Sequence, residues 1–152
     1  MAEVNITKTK LAQIAGTKTS MGSFNRRRTA VLCTAATYAA PAQNDTAGTA
    51  LVLPKGTRVV LPVSLSCAAG NASSTLSVGI RDAVTKQAID AAAIVNGASI
   101  ASATTAQVNN GTKLVNGQDY VMPQDVELYL TFGGAAGLAN QAIRVEVDFV
   151  AG

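Results

Sequence analysis

Three arginines in succession, Arg26-Arg27-Arg28, form the densest run of charge in the chain. Guanidinium groups pair bidentately with carboxylates and phosphates, and three neighbours raise a steep local field. Such a cluster fits an acidic protein surface, a solvated flank or a phosphate backbone. The first is preferred, since Phe24 is the sole nearby aromatic on which a base could stack. Carboxylates recur at i, i+2 in Asp125 with Glu127 and in Glu146 with Asp148. On a strand such pairs share a face, where they could hold a cation or divide acid and base roles. The plainer expectation makes them the wet side of two strands, with Arg144 as a cross-strand partner.

Other chemistry is cut short by what the residues lack. Gly133-Gly134-Ala135-Ala136-Gly137 imitates a phosphate loop, but Leu138 follows where that loop needs Lys and Ser or Thr, so a hairpin tip is expected. The chain has no histidine, which removes the usual general base, triad partner and imidazole metal ligand together. Cys33 therefore has no imidazole to deprotonate it. No enzyme is expected: no catalytic residue, no cofactor and no metal site is assigned.

The elements that must position these residues read as strands. Val126, Leu128, Leu130 and Phe132 alternate with Glu127, Tyr129 and Thr131, and Ile143, Val145, Val147 and Phe149 with Arg144, Glu146 and Asp148. Period two marks half-buried strands, and the glycine-rich 133–140 between them predicts an antiparallel hairpin. Upstream, Thr29–Thr37 has strand composition. Leu51 and Leu53 lead to the turn Pro54-Lys55-Gly56, after which Val59, Leu61, Val63, Leu65 and Cys67 point to one face. Pro62 cannot donate to a ladder, so its strand is expected at a sheet edge or bulged there. Leu76, Val78 and Ile80 point inward. Residues 81–97, rich in alanine, read as a loop with one helical turn near Asp90. Short strands are expected over Ser99–Val108 and Lys113–Val115, and a turn at Asn116-Gly117. Strands spaced so regularly between turns predict an all-β, antiparallel β-sandwich.

With 152 residues, 4% aromatics and no Trp, the chain suits one domain whose core is thin and aliphatic, and no roomy ligand pocket is expected. Cys33 and Cys67 are expected as two free, buried thiols, bridged only if their strands pack close in an oxidising setting. Met1 to Gly16 has no apolar core of a secretion signal, and no apolar run is long enough to span a bilayer.

Charge separates an arm from this domain. Residues 1–30 carry six basic groups against Glu3, net +5, whereas residues 31–152 carry six basic and eight acidic groups, net −2. An arm over 1–28 and a sandwich over 29–152 follow. The arm's apolar residues are too scattered for a continuous face, so it is expected to order on a partner.

The stretch LVLPKGTRVVLPVSLSCAAGNASSTLSVGIRD, Leu51 to Asp82, resembles small structural proteins of tailed bacteriophages in its Leu-Pro-x-Gly turn and its Ser/Thr-Leu-Ser-Val-Gly strand. Tyr120 to Thr131 and Ile143 to Val147 are similar to the end of the same group. The resemblance implies a jelly-roll-like sandwich acting as a capsid cement or decoration protein, made in the host cytoplasm and resident in the virion. Implied partners are the major capsid protein and further copies of this chain, as dimer or trimer; neither membrane nor nucleic acid is expected. The residues assigned to partner contact are Lys8, Lys10, Lys18, Arg26, Arg27 and Arg28, with apolar anchors at Val4, Ile6, Leu11 and Ile14. Rival readings are a tail, neck or fibre component, and a carbohydrate-binding surface module. The latter needs aromatic platforms, for which Tyr129 is the clearest outward-facing residue.

Overall fold

The structure, a computed structural model, describes residues 27–115 and 120–151. Among these residues eight strands run β1 Arg27–Cys33, β2 Thr46–Leu53, β3 Arg58–Cys67, β4 Thr75–Asp82, β5 Ala88–Ser99, β6 Thr104–Gln107, β7 Val126–Gly133 and β8 Ile143–Val150. They form two four-stranded sheets, ordered β1-β8-β3-β6 and β2-β7-β4-β5. Every pairing is antiparallel. Apart from the β4–β5 hairpin, each connection crosses from one sheet to the other. That is the jelly-roll arrangement, in which one apolar face of each sheet covers the other.

The alternation read from sequence places the core correctly in the long strands. Val63 and Leu65, Leu76, Val78 and Ile80, Val126, Leu128, Leu130 and Phe132, and Ile143, Val145 and Val147 are all buried. The expected carboxy-terminal hairpin, however, does not form. β7 pairs with β2 and β4, and β8 with β1 and β3. Two runs with one oily face each can meet face to face across roughly 10 Å of core as readily as edge to edge. Here the 134–142 connection makes that crossing, held by Asn71 Nδ2, which donates to the carbonyls of Ala136 and Gly137 at 3.1 Å each.

The helical turn near Asp90 is also absent: residues 88–99 are strand β5, paired to β4 with three register shifts. Alanine's helix propensity is worth only a fraction of a kcal/mol per residue and yields to burial. Ala93, Ile94 and Val95 are fully buried. Asp90 Oδ1 accepts the Ala92 N–H at 2.9 Å and steadies the irregular stretch. Of 99–108 only Thr104–Gln107 is a strand of its own, while Ser99 closes β5. Residues 113–115 form a turn lying against β5, where the N–H groups of Thr112 and Lys113 reach the carbonyls of Ala92 and Ala93. The turn expected at Asn116-Gly117 lies outside the described residues.

Pro62 sits at a bulge. β3 is an interior strand, and its register against β8 shifts between Val60 and Ser64. The bulge turns Leu61, expected inward, out to solvent at 43% exposure. At the other end of the sheet, Cys33 is exposed and Cys67 buried, both as free thiols. They lie on opposite sides of β8, against Arg144 and Ile143. Two strand spacings put them about 10 Å apart, beyond disulfide reach without backbone movement.

Candidate functional site

The carboxylates come first. Glu127, expected on the wet side of its strand, is only 3% exposed although it points away from the core. Three donors converge on it. β2 bulges between Gly48 and Val52, bringing the Ala50 N–H to 3.0 Å from Oε1. Arg81, its register partner on β4, donates from Nε to Oε2 at 3.0 Å, and Lys86 in the β4–β5 turn reaches the same oxygen at 2.6 Å. Arg81 and Lys86 hold the carboxyl at about 2 against the usual 4.5. A carboxylate so fixed is a structural anion, unable to exchange protons near neutral pH.

Its neighbours are just as occupied. Asp125 accepts the Lys55 N–H at 2.8 Å and closes the turn before β3. Arg144 pairs with Glu146, two residues along its own strand, in place of the expected cross-strand partner. Asp148 accepts from the Thr29 hydroxyl and from Arg27 Nε, which holds its carboxyl below the usual range and stitches β1 to β8. The i, i+2 pairs thus do not act together: each carboxylate is spent on its own local partner.

A groove of about 590 Å³ opens between the free edges of β1 and β2, where the expectation was no roomy pocket. It lies at the splayed margin of the sandwich rather than in its aliphatic core. Val31, Cys33, Tyr38, Pro41, Leu51 and Phe132 line it, and among the described residues no Lys or Arg does. Asp45, the carboxylate on its wall, already accepts the Ala42 N–H at 2.8 Å. The Cys33 thiol therefore shares this groove with one carboxylate and, among the described residues, no cation. Such a groove can hold apolar matter.

Of the residues assigned to partner contact, Val4, Ile6, Lys8, Lys10, Leu11, Ile14, Lys18 and Arg26 lie outside the described residues. Arg27 and Arg28 open β1 and pair with Val150 and Phe149 of β8, so they belong to the sheet as well as to the basic cluster.

Comparison with solved structures finds the same sandwich elsewhere. A chain in the capsid of Ralstonia phage GP4 superposes with a TM-score of 0.65 at 14% identity, over 84% of this chain and 85% of that one. A chain in the cyanophage Pam1 capsid asymmetric unit gives a TM-score of 0.52 at 16% identity, over 84% of each. The likeness is one of fold. No known family model matches the sequence, and no curated protein does.

Sequence reasoning missed the Glu127 cluster. Tyr129, expected to face solvent, is its continuation: it is 4% exposed, sits between Gly48 and Gly79 on the flanking strands, and stacks beneath Arg81 at 5.4 Å. A Cβ at residue 79 would stand 2.6 Å from the Asp90 carbonyl oxygen, so the glycine lets irregular β5 approach closely. The signal was an outward tyrosine next to an outward glutamate. Strand register was needed to see Arg81 and two glycines beside them. With Tyr129 covered, the outward aromatic platform expected of a carbohydrate module is missing at this position.

Proposed function

We propose that this chain is a structural component of a bacteriophage virion that binds the assembled shell and stabilises it, as a cement or decoration protein. The observation that carries the reading is the extent of the fold match. One jelly roll accounts for more than four fifths of this chain and of its counterpart in a phage capsid. The local chemistry agrees. Among the described residues the carboxylates of β7 and β8 are neutralised where they stand, and the groove between β1 and β2 has no cation and no carboxylate besides Asp45.

The partners are the major capsid protein and neighbouring copies of the same chain. Many copies each contribute a modest interface, and linkage through an arm multiplies the effect because a second contact becomes intramolecular once the first is made. The residues assigned to arm contact are Val4, Ile6, Lys8, Lys10, Leu11, Ile14, Lys18 and Arg26, with Arg27 and Arg28 at its root. Because β1 begins at Arg27, truncation after residue 26 spares the sheet. The truncated protein is expected to melt within a few degrees of the full chain, yet to occupy shells at a small fraction of the full chain's level. Undiminished occupancy would refute the role of the arm.

A further inference from the structure

The sandwich has two unlike ends. Register places the start of β1 beside the end of β8 and the start of β3, and the ends of β2 and β4 beside the start of β7. One end therefore carries the turns at 54–57 and 83–87, the β6–β7 connection and the junction with residues 1–26. The opposite end carries loops 34–45, 68–74, 100–103 and 134–142, which hold one charged residue, Asp45, among mostly small, uncharged residues.

Charge is gathered at the first end. Of the eight described Lys and Arg residues, seven lie on its strand ends and connections, with Arg144 the exception. Five carboxylates accompany them, Asp82, Asp90, Asp125, Glu127 and Asp148, leaving an excess of two positive charges.

Exposed aliphatics gather there too. Of the eight large hydrophobics exposed among the described residues, Val52, Leu61, Val84, Ile89, Val115 and Val121 belong to these same strand ends and connections. Val84, at 87% exposure, is held out deliberately: Asp82 Oδ1 accepts the N–H groups of Val84 and Thr85 at 2.8 and 2.6 Å, and Oδ2 accepts Gln124 Nε2 at 2.6 Å. A turn pinned from two sides presents its valine in a fixed position. Aliphatics set among charges of net positive sign match a binding surface with an apolar centre and a polar rim.

We infer that this end is the docking face, and that its partner is an acidic protein surface with shallow apolar depressions for Val84 and Val121. The inference rests on the shell-binding reading and adds the orientation. A protein partner is favoured over anionic lipid or nucleic acid because the cations are interleaved with carboxylates, as in the Lys113–Asp90 and Lys86–Glu127 pairs. A uniformly anionic surface would repel those carboxylates, whereas a protein surface can answer both signs. The near-neutral loops of the opposite end then face outward.

The test titrates the full-length chain onto shells assembled without it, at low and at elevated salt. Val84→Asp and Lys55→Glu are each expected to weaken binding by roughly tenfold or more, and added salt to weaken the wild type. Ala72→Asp and Leu138→Asp, in the opposite loops, are expected to bind as the wild type does. All four positions are exposed, so equal melting temperatures certify folding. Loss of binding with Ala72→Asp or Leu138→Asp, but not with Val84→Asp or Lys55→Glu, would overturn the docking face and leave the shell-binding reading intact. A wild type that ignores shells refutes that reading itself. A wild type that instead binds vesicles of phosphatidylserine and phosphatidylcholine, with Val84→Asp and Lys55→Glu weakening it, would replace the protein partner by a membrane.

Discussion

Replacing Glu127 with Gln removes one negative charge from a buried site while keeping its shape, and the consequence can be worked from the geometry. Glu127 accepts from the Ala50 N–H, Arg81 and Lys86 and is held at about 2 instead of 4.5. The difference corresponds to an upper limit of about 3 kcal/mol of folding stability at neutral pH. Lys86 is half exposed and brings solvent close, so screening reduces this to about 1–2 kcal/mol. For a domain of this size each kcal/mol moves the melting temperature by about 2–4 °C, so Glu127→Gln should melt roughly 2–8 °C lower at pH 7. The sign of the pH dependence follows from a depressed pKa. Above the unfolded value of 4.5 the stabilisation is complete; as pH falls towards 2 the unfolded chain takes up a proton that the folded chain refuses, and the advantage is lost. Urea melts of both proteins from pH 7 to pH 2.5 supply the assay. The gap between wild type and Glu127→Gln must be constant above about pH 5 and shrink below it. A gap that is absent at pH 7, or unchanged at pH 2.5, would refute the reasoning.

Two further predictions concern covalent and steric detail. In the native protein an aromatic disulfide reagent should titrate Cys33 quickly and Cys67 only on unfolding, and oxidation should form no Cys33–Cys67 bridge, since β8 lies between them. Gly79→Ala should destabilise the fold by about 1–3 kcal/mol in denaturant melts, because its Cβ would meet the backbone of Asp90 and Ala91 within 2.7 Å; an unchanged midpoint would mean that β5 can retreat from β4.

The fold class was legible because period-two alternation is a statement about faces. Val126 to Phe132 and Ile143 to Phe149 each announce one oily side, and the structure buries their alternating members except Phe149, which is half-buried. Alternation does not name partners, so β7 and β8 could be read as neighbours when they stand in opposite sheets. β5 was hidden for a different reason. Its alanines carry a local helix preference that burial overrides, and its bulges break the period that would have betrayed a strand. Pro62 shows the converse: a missing donor forces either an edge or a bulge, and the residue itself indicated that choice before the bulge was seen. The Glu127 cluster was illegible because it joins three strands and a turn, and nothing local in residues 50, 81, 86 and 127 links them. The docking end depends likewise on topology, which gathers valines and cations that lie far apart in sequence.

The most direct measurement is the copy number and position of this protein in its own particle, by gel stoichiometry against the most abundant shell protein together with low-resolution imaging. A cement protein is expected at near-equal stoichiometry, with density over the whole shell surface. A handful of copies at one vertex, or along a tail, would contradict that role.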